Sequence, residues 1–143
     1  MAVTGKARRP PALTAADYRD LAEFRFLLRR FLTFSEDAAR ATGLTPQQHQ
    51  ALLAIKGFED GAPAIGDLAD RLAIRHHSAV GLADRLAKAG LAKRTVSDTD
   101  RRRVTLALTP SGERLLAELS AAHRDELRQL TPMLKALLVK LEH

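Results

Sequence analysis

The sequence predicts a mainly α-helical chain that carries one short β-hairpin. With only 4% aromatic residues and no Trp, the core must be built mainly from Leu, Ala and Val, of which Leu and Ala favour helix. Apolar residues recur at helical spacing along most of the 143 residues. Only residues 91–108 alternate polar and apolar side chains around a polar loop, as paired strands do.

The N-terminal third predicts an arm and two helices. Residues 1–13 form a basic, proline-bearing arm that we expect to be flexible. Thr14 caps a long helix that Gly43 closes, and its broad apolar surface indicates packing on more than its own domain. Thr45 starts the next helix with a capping box, and this helix runs to about Phe58. Its predicted inward residues are Leu52, Leu53 and Ile55.

Residues 64–94 predict two short helices joined by a tight connection, which together describe a helix-turn-helix. The second helix covers about His76–Ala89. The predicted inward residues are Ile65, Leu68, Ala69 and Leu72 on the first helix, and Val80, Ala83, Leu86 and Ala87 on the second. Small side chains let the two helices cross closely, namely Ala69, Ala73 and Ala83.

A hairpin follows the helix-turn-helix and is called the wing below. Its predicted strands are Leu91–Val96 and Val104–Leu108, joined by the loop SDTDRRR. Thr109 then starts a helix with Pro110, and Thr131 starts a last helix with Pro132. The final residues 141–143 match the beginning of an appended histidine tag, so we exclude them from functional reasoning.

The positive charge of the chain is confined to one segment. Residues 71–103 hold nine Lys and Arg against three acidic residues, which accounts for the whole net charge of +6. Three consecutive arginines at a hairpin tip repel one another and gain little from folding alone. A polyanionic partner such as nucleic acid explains this distribution better than a solvated charged face does.

The composition and the motifs argue against several other classes of protein. The chain has no Cys, which excludes disulfides, thiolate metal sites and thiol-based redox sensing. We expect a cytoplasmic protein without a membrane partner, because no secretory signal and no apolar run near ~18 residues appears. No phosphate-binding glycine loop, nucleophile elbow or metal-spaced triad appears either, so we expect no enzyme activity, cofactor or metal.

The segment ADRLAKAGLAKRTVSDTDRRRVTLALTPSGERLL resembles the MarR family of bacterial transcriptional regulators. The resemblance covers about residues 14–140 and departs from the family at Ala64, where the motif usually has a Ser or Thr cap. The motif residues are Asp84-Arg85-Leu86, Gly90-Leu91, Arg94, Asp98 with Asp100-Arg101-Arg102, and Leu108-Thr109 with Gly112.

The resemblance implies a homodimeric winged helix-turn-helix repressor that binds a palindromic operator in double-stranded DNA. Residues 14–44 and 110–140 would then be N- and C-terminal dimerisation helices. Residues 45–109, called the lobe below, would be the DNA-binding unit with its two-stranded β-wing. The alternative is a winged-helix protein-interaction module that uses the hairpin on acidic partners without sequence-specific DNA binding.

The second helix of the motif is the candidate recognition helix for the major groove. Its N-terminus presents unpaired N–H groups to phosphates, and Gly81 lets it sit closely against a groove wall. Arg75 is placed either to read a guanine edge or to clamp a phosphate. The predicted DNA-binding residues here are Arg75, His76, His77, Ser78, Gly81, Arg85 and Lys88. Adjacent histidines on a helix point about 100° apart, which favours DNA-facing polar groups over a metal pair or a pH sensor.

The wing is the candidate minor-groove contact, because Arg is favoured over Lys in that groove. Its predicted DNA-binding residues are Arg94, Asp98, Arg101, Arg102 and Arg103. By resemblance, Asp98 pairs with Arg101 or Arg102 and holds the loop in shape.

A small aromatic or anionic effector is a further implication of the resemblance, bound between the helix-turn-helix and the dimer interface. His49 and His123 could approach one another or such an effector, although histidines at the core edge are the more ordinary interpretation. We therefore assign no effector site from the sequence.

Overall fold

The computed structural model describes residues 10–142. Residues 1–9 of the predicted arm and His143 of the predicted tag remnant lie outside this range. The elements, in chain order, are α1 (Ala15–Ala41), α2 (Pro46–Lys56), α3 (Ile65–Leu72), α4 (His76–Lys88), β1 (Ala92–Val96), β2 (Val104–Leu108) and α5 (Pro110–Leu141). The predicted class, mainly α with a winged helix-turn-helix, is confirmed.

The first two helices begin at the predicted capping boxes. The Thr14 hydroxyl accepts from the Asp17 N–H at 3.2 Å, and the Asp17 carboxylate accepts from the Thr14 N–H at 2.8 Å. Thr45 and Gln48 make the same reciprocal pair at the start of α2. Each pair satisfies N–H groups that the first helical turn leaves without a partner.

The helix-turn-helix is formed by α3 and α4. Ala64 has no side-chain acceptor, but its own N–H donates to the Asp67 carboxylate at 2.8 Å, so half of a capping box remains. The turn after α3 passes through Ala73, which has a left-handed backbone with φ of +52°. Ala73 is exposed in this turn, so the prediction that it lies where the two helices cross is wrong.

Two predicted inward faces are partly wrong. On α4 the buried residues are Ala79, Leu82, Ala83 and Leu86, whereas Val80 is half-buried and Ala87 is exposed. The buried face is rotated relative to the predicted one, because Leu82 has a larger apolar side chain than Val80 or Ala87 and takes the core position. On α2, Leu53 is 52% exposed, while the buried stripe runs through His49, Ala51, Leu52 and Ile55.

The wing is an antiparallel pair with the predicted boundaries to within one residue. Ala92 pairs with Leu108, and the register continues to Val96 opposite Val104. Leu106 of β2 is buried, and its N–H donates to the Pro63 carbonyl at 2.8 Å. The wing is therefore attached to the segment that leads into α3.

The C-terminal region is one helix, so the prediction of a separate helix starting at Thr131 is wrong. The Thr131 hydroxyl donates back to the Leu127 carbonyl at 2.6 Å instead of capping a new helix. Leu130 and Leu137 lie on either side of Pro132 and both pack with Leu27 of α1. This continuous apolar face favours an unbroken helix across the proline, despite the proline's cost.

The chain has two apolar cores. The larger one fills the lobe and includes Leu52, Leu82, Leu86 and Leu106, together with residues from the start of α5. The smaller one joins α1 to the second half of α5 around Leu27. Within residues 10–142, none of the helices has the length and hydropathy that crossing a membrane requires.

Candidate nucleic-acid interface

The outward face of α4 carries the residues predicted for the recognition helix. His76, His77, Arg85 and Lys88 are exposed, and Ser78 and Gly81 are half-buried beside them. Arg75 is exposed at the N-cap and makes no side-chain capping bond. An arginine has no acceptor atom, so the first N–H groups of α4 gain no acceptor from this cap and face outward, as a phosphate requires.

Backbone and side-chain hydrogen bonds hold the wing loop in shape. The Ser97 N–H donates to the Arg103 carbonyl at 2.9 Å, and the Arg103 N–H donates to the Asp100 carbonyl at 2.9 Å. The Asp100 carboxylate accepts from the Arg102 N–H at 3.0 Å. These bonds fold the three arginines into a tight turn with their side chains exposed.

The role expected of Asp98 is performed by Asp100. Asp98 is exposed and forms no ion pair with any residue of the described range 10–142. Asp100 holds the loop in shape because an aspartate can accept a hydrogen bond from the backbone N–H two residues later. This local bond needs no arginine side chain. The spacing of Asp100 and Arg102 was the sequence signal for this turn.

Two of the predicted wing arginines face acidic side chains of the helix-turn-helix. The Arg94 guanidinium lies 2.7 Å from the Asp84 carboxylate of α4. The Arg103 guanidinium lies 3.9 Å from the Asp67 carboxylate of α3. Within residues 10–142, Arg101 and Arg102 have no such partner. Asp67 and Asp84 are thus the residues that the predicted site omitted, and contacts between separate elements leave no local sequence signal.

A cleft of ≈ 420 Å³ lies between the wing and the helix-turn-helix. It brings the α4 residue His76 and the wing residue Arg102 to one concave surface with Arg103. The other lining residues are Ala64, Ile65, Gly66, Asp100 and Val104. The cleft thus brings the N-terminus of α4 and the wing to one surface.

The comparisons with known proteins agree with this architecture. Residues 42–103, which contain α2, the helix-turn-helix and most of the wing, match the model of the MarR family. This segment, less than half of the chain, is similar to the MarR family. The family match thus includes the wing arginines and the exposed face of α4.

Curated relatives and solved structures extend the likeness. The HTH-type transcriptional regulator FarR of Neisseria gonorrhoeae is 36% identical over 85 residues, which cover 57% of this chain and 58% of FarR. The chain therefore spans less than three fifths of the length of the curated relatives it matches.

Solved structures show the same fold over nearly the whole chain. AbsC of Streptomyces coelicolor, a MarR family regulator, has a TM-score of 0.69 at 22% identity and covers 94% of this chain and 97% of its own. The Staphylococcus aureus MepR F27L mutant bound to an oligodeoxyribonucleotide also has a TM-score of 0.69, at 21% identity. That match covers 91% of this chain and 96% of the MepR chain.

A second polar cluster lies away from the wing. His49 and His123 do approach one another, with ring centroids 4.7 Å apart. Burial, followed by the positive charge that His123 can carry, lowers the pKa of His49 below its ordinary value of 6.5. In the described range 10–142, no group of three or more His, Asp or Glu residues is arranged to hold a metal ion.

Proposed function

We propose that this protein is a homodimeric, sequence-specific DNA-binding regulator of transcription and acts as a repressor on a palindromic operator. In this proposal α4 enters the major groove and the wing follows the adjacent minor groove. The observation that carries it is the shared surface of α4 and the wing, on which His76 and Arg102 line one cleft. The MepR neighbour bound to an oligodeoxyribonucleotide supports the same use of this fold.

The charge distribution supports DNA over a protein partner. Residues 71–103 carry the entire net charge of +6, and they form the same α4 and wing surface. Arg101 and Arg102 stay exposed at the tip, where the negative potential of a minor groove attracts arginine most strongly. We expect roughly 6–10 phosphate contacts per dimer and a correspondingly steep salt dependence of the affinity.

Exposed apolar side chains on α1 and α5 support the proposed dimer. Large apolar residues on these two helices are solvent-exposed in the single chain, and such patches mark protein–protein contacts. The exposed residues include Leu21, Phe26, Leu28 and Leu32 on α1, and Met133, Leu138 and Val139 on α5. A second copy of this chain covering both helices would pair two lobes, as a palindrome with half-sites about one helical turn apart requires.

Relief of repression by a small aromatic or anionic molecule is a further part of the proposal, and it depends on the family resemblance. No residue is assigned to that effector. The protein-interaction module is the second candidate function, because an exposed basic hairpin also suits an acidic protein partner.

The test is DNA selection with the purified protein, followed by fluorescence anisotropy on the selected duplex at several salt concentrations. Arg102→Ala should weaken binding across sequences and reduce the salt slope by about 1. Arg124→Ala is the matched control, because Arg124 is exposed on α5 outside the basic segment. Ser78→Ala should change the preferred sequence if Ser78 contacts a base.

Three outcomes decide between the candidates. Selection of a palindrome with a steep salt dependence supports the regulator. A flat salt response favours the protein-interaction module instead. Equal affinities for the Arg102→Ala and Arg124→Ala proteins contradict the placement of the wing in the groove.

A further inference from the structure

A histidine pair lies where the lobe rests on the terminal helices. His49 belongs to α2 and is 4% exposed, and His123 belongs to α5 and is half-buried. Their rings are 4.7 Å apart between centroids and tilted by 46°. Two α1 rings meet His123 edge-on, with centroids 5.8 Å away for Phe31 and 5.4 Å away for Phe34. The pair is therefore enclosed by three helices and largely apolar neighbours.

The hydrogen bonds of His123 fit either protonation state. Its Nδ1 lies 2.6 Å from the Leu119 carbonyl oxygen, so Nδ1 must carry the proton and donate. Nε2 of the neutral ring then accepts from the Ser35 hydroxyl at 2.8 Å. Because a hydroxyl can rotate, Ser35 can accept from a protonated ring equally well. A positive charge on His123 breaks neither bond.

The surroundings of His49 fit only the neutral ring. Its Nδ1 is buried and has no hydrogen-bond partner within residues 10–142. Neither cause of its lowered pKa is a carboxylate: they are burial and the possible charge of His123. A proton on His49 thus places a charge on a buried ring whose Nδ1 has no partner to stabilise it.

The charged residues of the packed helices do not compensate for such a proton. Glu126 of α5 is the half-buried carboxylate nearest along the chain, and it lies 3.9 Å from Arg30 of α1. Within one turn of His49, α2 carries no charged residue. The remaining charged residues within one turn of the cluster are exposed and comprise Arg29, Glu36, Asp37, Arg124 and Asp125.

We propose that the His49–His123 pair is an acid-sensitive joint between the lobe and the terminal helices. At neutral pH the uncharged, buried His49 ring packs on His123 and holds α2 against α1 and α5. In mild acid His49 takes up a proton, α2 loosens, and the lobe is less firmly oriented. This inference rests on the proposed function, because DNA affinity falls when two lobes are no longer fixed at the half-site spacing.

The sign of the stability change follows from the direction of the pKa shift. The pKa of His49 is lower in the folded chain than its ordinary value of 6.5, so the unfolded chain takes up the proton first. The contribution of the neutral His49 ring is therefore complete above that ordinary value and is lost as the pH falls below it.

The first experiment measures urea unfolding midpoints at about pH 7.5 and about pH 5.5, on either side of the ordinary pKa of histidine. The wild-type midpoint should fall on acidification, and His49→Gln should remove a large part of that fall. His77→Gln is the matched control, since His77 is exposed on α4, and it should behave as the wild type does. Equal falls in the wild type and in His49→Gln would overturn the proposal.

A spectroscopic measurement keeps the proposal testable if His49→Gln does not fold. The ring proton signals of the wild type, assigned with His123→Gln, should show His49 titrating below its ordinary pKa of 6.5. Its titration should move when His123 is replaced. The proposal is contradicted if His49 titrates at or above the ordinary pKa, or if its titration is the same in the wild type and in His123→Gln.

The second experiment links the joint to DNA. The dissociation constant of the wild type divided by that of His49→Gln, both measured on the selected duplex, should rise about tenfold when the pH is lowered from the higher to the lower of the two values. His76 and His77 are present in both proteins, so their own protonation cancels in this ratio. A constant ratio overturns the proposal. If neither protein binds duplex DNA at any pH, the proposed function fails, while the unfolding midpoints still decide whether the joint exists.

Discussion

Asp84 of α4 and Arg94 of the wing form the shortest ion pair in the described part of the chain, with 2.7 Å between carboxylate and guanidinium. Their side chains are 49% and 36% exposed, so the pair adds little to stability. The ion pair holds the guanidinium against α4 and neutralises one positive charge of the surface that α4 shares with the wing. The wing and α4 are thereby joined at their polar edges as well as through the core.

Replacing Asp84 by Asn should strengthen binding to non-palindromic DNA. The change releases the Arg94 charge and removes a carboxylate that repels phosphates, so affinity should rise several-fold and the salt slope should steepen by about 1. Fluorescence anisotropy on a non-palindromic duplex at several salt concentrations measures both. Arg94→Ala is the companion variant and should weaken binding less than Arg102→Ala does. Weaker binding by Asp84→Asn would show that the ion pair matters through the position of the wing.

Gly112 should not tolerate a side chain. In the first turn of α5 an added Cβ would overlap the backbone carbonyl of Leu91, and a backbone group cannot move aside as a flexible side chain does. Gly112→Ala should therefore lower the free energy of unfolding by about 1–3 kcal/mol, as overpacking does. The matched control is Gly66→Ala in α3, where no atom lies within 4 Å of the added carbon. That variant should gain up to about 1 kcal/mol, and urea unfolding of both proteins compares them.

Ala73 stores strain in the turn of the helix-turn-helix. Its φ of +52° lies in the left-handed region, which costs an alanine about 1–2 kcal/mol relative to glycine. Ala73→Gly should raise the free energy of unfolding by about 0.5–1 kcal/mol, after the greater flexibility of the unfolded glycine is subtracted. Ala89→Gly is the control, because Ala89 also ends a helix but has an ordinary φ of −75°. Urea unfolding should show a gain for the first variant and a loss for the second.

The parts of the fold that depend on neighbouring residues were predictable from the sequence. The caps at Thr14 and Thr45 use partners three residues away, and the wing pairs strands across a short loop. The inward face of α4 was predicted less well. Alanines lie on both its buried and its exposed sides and Val80 lies between them, so the sequence fits two rotations of the helix about its axis.

Most of the candidate site was predictable, but its internal contacts were not. The exposed residues of α4 and the wing follow from charge and helix phase. The pairing of Arg103 with Asp67 joins residues far apart in the chain. Such contacts depend on how whole elements pack, and no local pattern in a single sequence reports them.

The Thr131-Pro132 pair is a usual start signal for a helix, but here it lies inside α5. Replacing Pro132 should stabilise the protein. A proline inside a helix removes the N–H that would donate to the carbonyl four residues earlier, here that of Arg128, and its ring crowds that carbonyl. Pro132→Ala should restore this bond and raise the free energy of unfolding by about 1–3 kcal/mol. The control is Pro46→Ala at the first turn of α2, where the N–H has no helical partner, so only a small change is expected. Urea unfolding at one protein concentration compares the two variants, since the midpoint of a dimer depends on concentration. A loss of stability in Pro132→Ala would mean that the backbone geometry imposed by Pro132 is needed to seat Leu130 and Leu137 against α1, and that this packing outweighs the missing hydrogen bond.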